Sequence, residues 1–120
     1  MTAEHLVTRT AEIIRDKLGE DVVVLDLHDH YALTDYFVIA TASSTIHAQA
    51  IATEVVEKLA QEGERVHHIE GVENARWILL DYVDVVVHIL LSDIRLFYGL
   101  ERLWGDAPKR SFPSEDNLSF

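Results

Sequence analysis

Apolar positions recur every three or four residues over 3–18, at Val7, Ala11, Ile14 and Leu18, with Leu6 and Ile13 widening the stripe before Gly19 stops it. This pattern predicts a first helix. The β-branched run VVVLDL over 22–27 is too short for a buried helix and predicts an inner strand. HDHYALTD is too short to hold a crossover helix, so the next run, YFVIAT over 36–41, is expected to pair antiparallel with the first strand. Ser43, Ser44 or Thr45 can cap a second helix whose apolar face is Ala48, Ile51, Ala52, Val55, Val56 and Leu59, ending at Gly63.

RVHHIE over 65–70 predicts a third strand, reached through that helix and therefore expected to lie parallel to the second. Residues 75–81 (ARWILLD) and 83–90 (VDVVVHIL) read as a hairpin turning at Tyr82. A third helix starts at Ser92 or Asp93 and runs to residue 104 through Leu96, Leu100, Leu103 and Trp104, before Gly105 and Pro108 end the pattern. Polar residues 109–120 read as a flexible tail after a domain of residues 1–108. The expectation is an α/β domain with a five-stranded mixed sheet and three helices. Ile78 and Leu80 alternate with Trp77 and Leu79, so both faces of that sheet are apolar, and three helices are too few to cover them.

At 120 residues the chain is sized for one domain with one core. Its 21 acidic and 10 basic residues give a formal net charge of −11. This argues against autonomous binding to a nucleic-acid backbone and favours a basic protein partner. Cysteine is absent, which removes disulfides, thiolate metal sites and a cysteine nucleophile. The run 83–91 is interrupted by Asp84 and His88, so no membrane span is expected. The first residues show neither a secretory nor a transit pattern, making the cytoplasm the default location.

Seven histidines invite a metal site at His28, His30, His67 and His68, but adjacent strand residues such as His67 and His68 face opposite ways. His88 reads as a satisfied sheet histidine. Asp81 and Asp84 beside Ser43 and Ser44 could serve magnesium-dependent nucleotidyl transfer. However, TASSTIH has no glycine to admit a phosphate, and Val86 stands where a paired carboxylate would be useful. Helix capping for the serines and turn formation for Asp81 are the simpler roles. No G-x-S-x-G elbow is present, and no cofactor is called for. Trp77, Tyr82, Tyr98 and Trp104 gather in or beside the last hairpin and helix, where they suit either a core or a protein interface.

The segments TDYFVIATASSTIHAQAIATEV, EGVENARWILLDYVDVVVHIL and RLFYGLERLWGDAP closely resemble the ribosomal silencing factor (RsfS, or Iojap) family over 6–108. The resemblance implies a nucleotidyltransferase-like fold without the catalytic acids, and a non-enzymatic function. It implies binding to the large ribosomal subunit through ribosomal protein L-fourteen, blocking small-subunit joining and repressing translation when nutrients are scarce. The alternatives are an adaptor in large-subunit assembly and an active nucleotidyltransferase. A homodimer is also implied.

Carried over position by position, the motifs assign partner contact to Trp77, Leu79, Asp81, Tyr82 and Asp84, with Tyr98, Glu101 and Trp104 behind them. Many members carry glycine at Val83, and Gly and Arg at Ala42 and Ile46. A β-branched residue resists positive φ, so Val83 argues against a turn of that kind. The missing arginine leaves the start of the second helix outside the candidate site.

Overall fold

A computed structural model describes residues 1–30 and 32–112. The elements run α1 (Ala3–Asp16), β1 (Glu20–Asp26), β2 (Tyr36–Ala42), α2 (Thr45–Gln61), β3 (His68–Glu70), β4 (Trp77–Asp81), β5 (Val85–Leu91), α3 (Ser92–Tyr98), α4 (Leu100–Leu103) and β6 (Lys109–Phe112). Thr2 caps α1 by accepting the His5 N–H, and Ser44 caps α2 by accepting that of His47. The His47 ring accepts the Ser43 N–H at 2.9 Å and donates to the Lys17 carbonyl at 2.7 Å. It thereby fastens the start of α2 to the end of α1.

The sheet is mixed and six-stranded, in the order β3-β4-β5-β2-β1-β6. β1 pairs antiparallel with β2 and β4 with β5, as the sequence predicts. β3 runs in the same direction as β2, as expected, but does not lie beside it: it pairs antiparallel with β4, and the strand paired in parallel with β2 is β5, from Tyr36 opposite Val85 to Ala42 opposite Leu91. The reason is burial: the Val-rich β5 has apolar residues on both faces and suits the centre, whereas the exposed His68–Glu70 suits an edge.

The sheet also has six strands, not five. Lys109–Phe112, read as the beginning of a tail, pairs with β1 from Val22 opposite Phe112 to Leu25 opposite Lys109. Its polar sequence hides this because only one face touches protein. Arg110 reaches Glu4 at 2.7 Å, and Glu4 in turn accepts the Tyr36 hydroxyl at 2.8 Å. The rest of the expected tail, 113–120, lies outside the described residues. The third helix is broken at Gly99, whose φ of 58° and ψ of 47° are left-handed, leaving seven-residue α3 and the single turn α4.

α1 and α2 pack on one face of the sheet against Val22, Val24, Val38, Ala40, Ile78, Leu80, Val85, Val87 and Ile89. The opposite face carries Val23, Leu25, Leu27, Ile39 and Leu90, covered by Ile94, Leu100, Trp104 and Ala107. Arg95 fixes that cover. Its guanidinium donates to the Asp21 carbonyl at 2.7 Å and to Thr41 Oγ1 at 2.9 Å, and pairs with Glu101 at 2.8 Å.

Candidate functional site

Alternation along β4 places Trp77, Leu79 and Asp81 on the face opposite α1 and α2. Register then sets Trp77 against Leu90, Leu79 against His88 and Asp81 against Val86 on β5. The parallel pairing adds Phe37 of β2 beside Val86. The short cover of α3 and α4 does not enclose this end of the sheet, so Trp77, Leu79, Asp81, Phe37 and Val86 are all partly exposed. They form a continuous apolar strip with a carboxylate at its end.

The aromatic side chains are in mutual contact. Trp77 lies 5.1 Å from Tyr98, centroid to centroid, and 5.9 Å from His88. Phe37 meets His88 edge-on at 4.5 Å and Trp104 at 6.3 Å. The Trp77 indole N–H donates to His88 Nδ1 at 3.0 Å. His88 is 4% exposed, and burial pushes its imidazole down to about 4, so it is neutral near pH 7. Its Nε2 is buried without a partner, so the histidine read as satisfied is satisfied on one side only.

The turn that ends the strip contains a further correction. Val83 does adopt positive φ, at 73°. Asp81 Oδ1 accepts the Val83 N–H at 2.7 Å, Asp84 N–H reaches the Tyr82 carbonyl at 3.0 Å, and Tyr82 N–H reaches that of Val85 at 2.8 Å. These bonds hold the backbone while the exposed valine side chain meets little to clash with. Asp81 is thus a turn-former, as expected, and exposed Asp84 accepts the Asp35 and Tyr36 N–H groups on its carbonyl.

The sequence-assigned residues do not all share this surface. Trp77, Leu79, Asp81 and Tyr98 come together, and Asp84 stands at the turn beside them. Tyr82 points into the α1–α2 core, 7% exposed, and burial pushes its phenol up to about 12. Trp104 meets Phe37 edge-on at 6.3 Å within the cover formed by α4, and Glu101 is held by Arg95. Phe37 and His88 were absent from the sequence assignment. A period-two reading continued from β4 into β5 places His88 beside Leu79, whereas Phe37 enters only through the parallel β2–β5 pairing.

Among the described residues, no group of three His, Asp or Glu side chains could hold a metal ion. His68 sits instead 3.1 Å from Glu70, and His28 2.6 Å from Asp26, which draws the imidazole pKa up by hydrogen bonding and charge. No helix is long and apolar enough to cross a membrane among the described residues.

The fold and this strip define a small mixed α/β protein with one sealed sheet face and one partly open aromatic face. Residues 1–119 match the family model described as "Ribosomal silencing factor during starvation", and the chain belongs to that family, RsfS. It is 40% identical to the ribosomal silencing factor RsfS of Bacillus subtilis over 90% of this chain and 92% of that one. It superposes on a crystal structure from Chromobacterium violaceum with a TM-score of 0.85 at 33% identity, covering 88% of each chain. It is 30% identical to the mouse protein named "Mitochondrial assembly of ribosomal large subunit protein 1", over 77% of this chain and 42% of that one.

Proposed function

We propose that this chain silences ribosomes sterically: it binds the large subunit through ribosomal protein L-fourteen and blocks small-subunit joining, repressing translation under nutrient limitation. The carrying observation is the partly open strip of Trp77, Leu79 and Tyr98 bordered by Asp81 and Asp84. Large aromatics at the centre of a patch supply affinity when they are desolvated, while carboxylates at its rim select a basic surface. The net charge of −11 steers the protein towards basic ribosomal protein and away from bare RNA. Tyr82 supports the turn from beneath, and Glu101 and Trp104 hold the neighbouring cover in place.

This action uses no cofactor and no catalysis, and its place is the cytoplasm. Ser44 is engaged in capping α2 and Asp81 in forming the turn, which counts against nucleotidyl transfer. The exposed Leu96, Phe97 and Leu103 of α3 and α4 fit a homodimer, for which concentration-dependent sedimentation is the test.

Sedimentation of the protein with separated ribosomal subunits, followed by addition of small subunits, tests the main reading. Co-migration with the large subunit and loss of complete ribosomes are expected. Binding without an effect on joining favours an assembly adaptor, the reading suggested by the mouse relative's name. Binding to neither subunit, with thermal stabilisation by nucleotide and magnesium, would sink both.

A further inference from the structure

Buried polar groups in folded proteins are hydrogen-bonded with few exceptions, and each exception calls for an explanation. His88 is such an exception. It lies in the middle of β5, 4% exposed, among Phe37, Leu79 and Trp77. Its Nδ1 accepts the Trp77 indole N–H, so the ring proton of the neutral imidazole resides on Nε2, which has no acceptor. A leucine of similar bulk would bury the same space without an orphaned donor. The imidazole is thus a poor choice for the core alone, and its one made bond is to the largest side chain of the open strip.

We infer that His88 is a positioning residue for docking: by accepting the indole N–H it holds Trp77 in the orientation that lays it against Tyr98 on the open face. An indole on a strand has two free side-chain torsions, and Trp77 is only partly buried, so packing leaves room for others. The 3.0 Å bond to Nδ1 selects one orientation. Phe37, edge-on at 4.5 Å, in turn keeps the imidazole from swinging away. Binding then loses little entropy in ordering Trp77, because the free protein has already ordered it. The inference rests on the docking role proposed for Trp77 and adds what prepares that residue for it.

The test compares His88→Leu, which removes the acceptor, with His88→Asn, whose Oδ1 can stand where Nδ1 did. His88→Leu is expected to keep or raise the urea midpoint at neutral pH. It moves the Trp77 indole 15N–1H resonance towards that of a water-exposed indole and weakens large-subunit binding about tenfold. His88→Asn is expected to restore both the resonance and the binding. A merely structural histidine would instead lower the midpoint and leave Asn no better than Leu.

Unchanged binding or an unmoved indole resonance in folded His88→Leu overturns the inference. Should that variant not fold, nitrogen–nitrogen coupling across the Trp77–His88 bond in the unaltered protein decides, and its absence overturns it. If the unaltered protein fails to bind large subunits, the proposed function falls, while the indole resonance and its rescue by Asn still decide whether His88 orients Trp77.

Discussion

Leu79 and Leu80 are neighbours of identical chemistry on one strand, yet they belong to different parts of the molecule. Leu80 is fully buried between the sheet and the long helices α1 and α2. Leu79 stands on the opposite face, partly exposed beside Trp77 and His88. The first face is sealed by 31 residues of helix, 14 in α1 and 17 in α2. The second is covered over only part of its area by α3 and α4, neither of which has a fully buried residue. One side of the sheet is therefore closed core, and the other combines a smaller core with apolar surface left partly open.

The strongest way to break that contrast is to truncate both leucines. Leu80→Ala is expected to cost about 3 kcal/mol in urea denaturation, the usual range for a filled core position, whereas Leu79→Ala costs under about 1 kcal/mol. Equal losses would remove the distinction between the faces.

A pH series probes the second face almost as strongly. The His88 imidazole takes up a proton near pH 6.5 when unfolded but only near 4 when folded, so between those values the unfolded chain holds more protons. Stability is therefore expected to fall by about 3 kcal/mol as the pH drops from 6.5 to 4, and His88→Leu should flatten that slope. A slope that survives the substitution assigns it to other groups.

Binding sharpens the comparison from the other side. Trp77→Ala is expected to weaken large-subunit association by about 2 kcal/mol, as hot-spot aromatics do, and to lower stability by about 1 kcal/mol or more because it leaves buried His88 without its hydrogen-bond partner. Sedimentation at graded protein concentration measures it, and an unaltered affinity in the folded variant would remove the open strip from the interface.

The smallest expected effect lies at the turn joining β4 to β5. Val83→Gly should stabilise the protein by about 1 kcal/mol, because glycine adopts φ near 73° without the strain of a branched Cβ. A lower urea midpoint would show that the hydrogen bonds of Asp81 and Asp84 relieve the strain more fully than the angle suggests.

The helices α1 and α2 and strands β1, β2, β4 and β5 were legible because each carries its own periodicity and its own cap or turn residue. Ser44 and Asp81 were legible in the roles they have for the same reason. β6 was not, since an edge strand of polar residues has no apolar alternation to show, and its evidence is the bond ladder to β1 together with Arg110 on Glu4. The break at Gly99 was hidden by apolar residues that keep helical spacing across it. The candidate site was readable only as a set of motif positions. Tyr82 and Leu79 look equally eligible in the string, and burial alone separates them.

By itself the sequence determined α1, α2, β1, β2, β4 and β5, the acidic charge and the family, since these depend on the order of residues within short stretches and on composition. Tertiary structure alone decided that β5 inserts beside β2, that β3 and β6 close the two edges, and that Phe37 and His88 come to lie with Trp77 and Tyr98. Those outcomes follow from competition among distant strands for positions buried on both faces, and no short stretch of the chain contains both sides of that competition.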